Sequence, residues 1–132
     1  KRLAVMWSLK GCPACKRMAE VHLADSKIEN YIKTNFEVLH LNQIGVRETT
    51  DFDGAKLSEK ALGQRYGIRF TPMIQFFPET VDGLAGRAPQ AREVARMAGL
   101  LEPAEFLAMF EYVKEKGYET QPFPEWLKRR SA

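Results

Sequence analysis

The sequence predicts an α/β fold: a central mixed β-sheet flanked by helices, with a hairpin inserted after the second strand. Three observations predict it. The apolar run Leu3-Ala4-Val5-Met6-Trp7 leads into Gly11-Cys12-Pro13-Ala14-Cys15, the order of a buried strand, a tight turn and a helix. A second strand-like run, Phe36–Asn42, follows that helical stretch, and two strands joined through a helix lie parallel. Farther on, Met73–Phe77 and Val94–Met97 can pair as antiparallel neighbours, which makes the sheet mixed. The 132 residues suffice for one core and carry no repeat or linker, so we expect a single domain over 1–132.

Each element has a local reason. Leu3–Trp7 is too continuously apolar for a solvated face. From Pro13 onward, Cys15, Met18, Ala19 and His22 recur at helical spacing and form one buried stripe. Asp25-Ser26 is a cap that restarts helix through Ile28, Tyr31 and Ile32. Val46–Thr50 has strand propensity and Asp53-Gly54 is a two-residue hairpin signal, so Val46–Leu57 reads as an insertion. Ser58 caps a helix from Glu59 to about Tyr66, which Gly67 ends. Pro78–Arg92 is a loop between the antiparallel strands, and Gly99 breaks the second of them. Pro103 opens an amphipathic helix whose stripe is Phe106, Leu107, Phe110 and Val113, ending at Gly117. Trp126 and Leu127 fall on a short last helix.

The chain holds two cysteines, Cys12 and Cys15, in a C-x-x-C beside a β-α-β pattern, which reads as a dithiol/disulfide redox pair. The first turn of a helix carries unpaired N–H groups and a partial positive charge, so it favours a thiolate, the form that attacks disulfides. Pro13 suits a position whose N–H would be unpaired anyway, and Lys10, Lys16 and Arg17 add positive charge. Other uses of the pair fit less well. Zinc needs four ligands, and the only histidines, His22 and His40, have no finger spacing. Haem attachment would need histidine where Lys16 stands. A purely structural disulfide closing so short a loop removes little unfolded-chain entropy. We therefore expect no metal and no cofactor other than the cysteine pair.

The net charge of +3 is mild, and the one basic cluster, Lys128-Arg129-Arg130, reads as a solvated helix end. No basic stripe with interleaved aromatics is present, so no nucleic-acid partner is expected. No apolar run approaches the ~18 residues that cross a bilayer, so no stable membrane contact is expected. The chain begins at Lys1 without a signal peptide, which fits a mature exported protein or a trimmed one. We expect a monomer in the periplasm or another extracytoplasmic space, with the cytoplasm as the alternative.

The order of strand, C-x-x-C helix, strand, helix, Thr-Pro, hairpin and helix resembles the thioredoxin superfamily. Three landmarks carry the resemblance: Cys12-Pro13-Ala14-Cys15 at a strand-to-helix junction, Tyr66–Pro72, which is similar to the segment bearing the cis-proline, and Ala98-Gly99. The resemblance implies a thioredoxin-like fold and a thiol–disulfide oxidoreductase that acts on protein disulfides and is recharged by an upstream thiol reductant. It also implies a cis bond before Pro72 and substrate contacts at Thr71, Pro72 and Gly99. Glu48–Gly54, Ala95–Gly99, Glu105-Phe106 and Tyr112-Val113 further resemble exported proteins of the SoxW type, which accompany sulfur oxidation and handle periplasmic disulfides.

Several residues depart from the ordinary pattern. Met6 stands where thioredoxins keep a buried aspartate, Gly11 where a tryptophan is usual, and His40 where a second-strand lysine faces that aspartate. His40 is thus the candidate proton acceptor for Cys15, the alternative being a core histidine bonded to a carbonyl. His22 reads as packing. Pro-Ala between the cysteines lacks both the histidine of the DsbA type and the Gly-Pro of thioredoxin, so the potential should fall between them, nearer the reducing end. Cys12 would attack and Cys15 resolve. Two rival functions stand beside this one: a thiol oxidase or isomerase of exported proteins, and a redox-inert peptide-binding module.

Overall fold

Apolar residues on both faces of the first strand require cover on both sides, and the computed structural model supplies it. The structure describes residues 1–131, Ser131 by its backbone alone. The described strands are β1 (Arg2–Ser8), β2 (Phe36–Asn42), β3 (Glu48–Thr50), β4 (Lys56–Ser58), β5 (Met73–Phe76) and β6 (Ala95–Ala98). The α-helices are α1 (Pro13–Arg17), α2 (Ser26–Asn35), α3 (Glu59–Arg65), α4 (Pro103–Lys114) and α5 (Phe123–Ser131). The main sheet has the order β2-β1-β5-β6, with β1 parallel to β2 and antiparallel to β5, and β6 antiparallel to β5.

Alternation along β1 divides the core. Ala4 and Met6 join Phe36, Ile74, Phe76 and Met97 against Ile28 and Ile32 of α2 and Phe106, Phe110 and Val113 of α4. Val5 and Trp7 join Leu41, Met73 and Phe77 against Leu62 of α3, Tyr66 and Ile68. On the first face, Phe110 meets Phe36 and Phe76 edge to face with centroids 5.0 Å apart, an arrangement the ring quadrupoles favour.

The structure revises several local expectations. The helix after Pro13 widens into a π-turn over Met18–His22, so Ala19 faces solvent while Met18 and His22 stay buried. The hairpin turn has three residues, Phe52, Asp53 and Gly54, rather than two: Gly54 N–H donates to Asp51 O, and Asp51 N–H to Ala55 O. Gly54 sits at φ +85°, the conformation such a turn demands. α4 is buried on more than one stripe, because α5 packs Phe123 and Trp126 around Tyr112. Lys116, not Gly117, takes the left-handed conformation after α4. Gly117 serves close approach instead, since a Cβ there would lie 2.5 Å from Tyr112 Cδ1.

A buried ionic cluster fastens the β3–β4 hairpin to the second face. Tyr66 OH donates to Asp51 Oδ1 at 2.6 Å, while Arg92 Nη1 donates to Asp51 Oδ2 at 3.1 Å and to Tyr66 OH at 3.0 Å. Burial, reinforced by the hydrogen bond to Asp51, pushes the Tyr66 hydroxyl up to about 12. A group whose folded-state pKa is raised stabilises the fold fully below its unfolded value, about 10 for tyrosine, and loses that contribution as pH rises through the folded value. Urea-unfolding stability is therefore expected to fall between about pH 10 and pH 12, and Tyr66→Phe to flatten this part of the profile. An identical decline in both proteins would refute the assignment.

Candidate functional site

β1 delivers the chain to the site at Ser8. Cys12 N–H donates back to Leu9 O at 3.2 Å, and the turn closes through Gly11 at φ +85°, where a side chain would be strained. Cys12 then caps α1, with Pro13 opening the helix behind it. Cys15 N–H donates to Cys12 Sγ at 3.2 Å. The sulfur thus occupies the place of a capping oxygen, where the open end of the helix stabilises negative charge. Cys12 and Cys15 form a disulfide, with Cys12 half-buried and Cys15 buried beneath it.

A second segment meets this tip. The Thr71–Pro72 peptide bond is cis, and Thr71 O lies 3.6 Å from Cys12 Sγ. Gly99, at φ +87°, donates its N–H to Pro72 O at 3.1 Å. Cys12, Cys15, Thr71, Pro72 and Gly99 are therefore gathered at one end of the sheet, drawn from segments up to 87 positions apart.

Of the two histidines, His22 is buried as its spacing predicts, whereas His40 is not brought to the cysteines. His40 is on the face of Met6, its partner in the β1–β2 register, but β2 is the sheet's edge strand and the side chain is exposed. No hydrogen bond joins it to Cys15; its carbonyl accepts from Arg47. Met6 itself is 1% exposed in apolar surroundings. His22 is the buried histidine, with Nε2 2.7 Å from Leu101 O and its ring edge-on to Phe106. That carbonyl needs a donor, so His22 carries its proton on Nε2. Beside it Arg17 pairs with Glu102, and together these contacts tie the cysteine helix to the segment following Gly99. Periodicity could only mark His22 as buried, because its partner carbonyl is 79 positions away. Among the described residues no group of three or more His, Cys, Asp or Glu could hold a metal ion.

A family model described as a thioredoxin-like domain matches residues 1–114. The chain belongs to the thioredoxin-like family. Solved structures similar to it include a thioredoxin-fold protein from Helicobacter pylori (TM-score 0.72, 21% identity, 98% of this chain and 79% of that one). A thioredoxin from Thermus thermophilus is also similar (TM-score 0.65, 23% identity, 89% and 76% covered). The oxidised C-terminal domain of DsbD from Neisseria meningitidis superposes as well (TM-score 0.59, 13% identity, 86% and 80% covered). No curated protein sequence matches the chain. The thioredoxin-like match stops at the end of α4, so α5 lies outside it and covers α4 through Phe123 and Trp126.

Proposed function

We propose that this thioredoxin-like protein is a thiol–disulfide oxidoreductase that reduces or exchanges protein disulfides through Cys12 and Cys15. The capping of α1 by Cys12 Sγ carries the reading, because the geometry that satisfies the helix end also stabilises the attacking thiolate. In the reduced protein the Cys12 thiolate attacks one sulfur of the target disulfide, and the target's other sulfur leaves as a thiolate and takes up a proton. Cys15 then loses its proton, attacks Cys12 Sγ and expels the second target thiolate, which is protonated in turn. Two electrons and two protons pass to the target, and the Cys12–Cys15 disulfide is left for an upstream dithiol to reduce. The Thr71 backbone, beside Cys12, offers hydrogen bonds to an extended target strand.

Met6 in the apolar core and His40 exposed on the edge strand support solvent water as the acceptor of the Cys15 proton. His40→Ala is expected to leave mixed-disulfide release within twofold of wild type from about pH 6 to pH 8, a range around the histidine reference of roughly 6.5. A release defect that eases as pH rises would restore His40 as the base.

The SoxW-like segments support an extracytoplasmic site of action on exported proteins, and likeness to a thioredoxin and to a DsbD domain supports the redox role. Catalysed reduction of a model disulfide protein by dithiothreitol tests the function. Acceleration by the wild type and none by Cys12→Ser is the expected result; equal rates for both would favour an inert binding module.

A further inference from the structure

Three loops meet at the cysteine end of the sheet. Gln43 N–H donates to Ser8 O at 2.9 Å and its side-chain amide to Ile68 O at 3.1 Å, which sets the segment after β2 against the approaches to Cys12 and Pro72. This segment is pinned rather than loose: Gly45 O accepts from Lys60 N–H and Arg47 O from Glu59 N–H, both at 3.0 Å. It nevertheless presents Ile44 at 58% and Val46 at 92% exposure, and Phe70, one residue before Thr71, is 50% exposed. Apolar side chains exposed on a pinned backbone at the cysteine end of the sheet suit a partner.

The charges at this end are one-sided. Segments 9–17, 43–47, 67–72 and 99–102 hold five cations, Lys10, Lys16, Arg17, Arg47 and Arg69, and one carboxylate, Glu102. Arg17 is paired with Glu102 and Arg47 with Glu59. Lys10, Lys16 and Arg69 are exposed and in no ion pair among the described residues. The chain's net charge is only +3, so this excess is local.

We infer that this surface selects acidic target polypeptides: an apolar residue next to the target cystine seats on Phe70, Ile44 and Val46, while flanking Asp or Glu side chains pair with Lys10, Lys16 and Arg69. The inference rests on the oxidoreductase reading and adds the substrate class. Unpaired cations around an exposed apolar patch raise the local concentration of an acidic partner and steer its approach, an effect that salt screens.

The test uses the reduced full chain in single turnover with two disulfide-cyclised peptides, each with leucine beside the cystine, one flanked by aspartates and the other by lysines. The aspartate peptide is expected to react at least about tenfold faster at low salt, with most of the difference gone near 1 M salt, where the screening length is about 3 Å. Arg69→Glu should shrink the preference several-fold, and Phe70→Ser should slow both peptides. Both variants should keep wild-type rates with hydroxyethyl disulfide, an uncharged probe of Cys12 itself. Equal rates for the two peptides, or a preference unmoved by Arg69→Glu and by salt, overturns the inference and leaves the oxidoreductase reading standing. Failure of the wild type with all three disulfides overturns both.

Discussion

Cys15→Ser is expected to accumulate covalent complexes with target proteins, and Cys12→Ser to accumulate none. Both variants should lose turnover by on the order of 10³-fold or more, as enzymes do when the attacking group or its covalent partner is removed. The difference lies in where the reaction stops. Cys12 is half-buried at the tip of α1, with Thr71 O 3.6 Å from its sulfur, so it is the thiol a target disulfide can reach. Cys15 is buried one turn deeper and can reach Cys12 but not an incoming protein. Without it, the mixed disulfide has nothing to resolve it. Non-reducing electrophoresis and mass spectrometry of an extract treated with each variant read this directly. Equal trapping by the two variants would sink the assignment.

Arg92→Met is expected to cost about 3–5 kcal/mol of folding stability, the range seen when one partner of a buried ion pair is removed. Arg92 and Asp51 side chains are each 2% exposed. The guanidinium also donates to Leu84 O at 2.9 Å, Arg87 O at 3.0 Å and Ala85 O at 3.2 Å, so one side chain holds the turn after Gly83 as well as the hairpin. Methionine fills comparable volume but leaves these carbonyls short of a donor, while the Asp51 carboxylate keeps Tyr66 OH, Phe52 N–H and Arg65 Nη1, the last at 2.9 Å. Since whole domains are stable by only about 5–15 kcal/mol, the loss should be plain in a urea titration. A single-variant loss below about 1 kcal/mol would show that the cluster is no keystone of the hairpin.

Local chemistry, readable along the chain, determined a good deal. The C-x-x-C at a strand-to-helix junction, Pro13 behind it, the Asp25 and Ser58 caps and the continuously apolar β1 all depend on neighbours within a few positions, and each is found where the sequence places it. Thr71, Pro72 and Gly99 were legible only through resemblance, since nothing local marks a Thr-Pro step as the neighbour of a cysteine 59 positions away. The Asp51–Tyr66–Arg92 cluster was not legible at all: its pairs span 15, 26 and 41 positions, and an isolated Arg in a polar loop reads as solvated. His40 and His22 make the same point. Each has a definite place along its element, but whether a strand is at the edge of the sheet or within it, and which carbonyl meets a buried ring, are settled by the order in which the strands assemble. Residue type and spacing determined the reactive pair and the elements that present it. Tertiary structure alone decided which distant groups surround that pair, because burial and long-range pairing arise only when the segments pack.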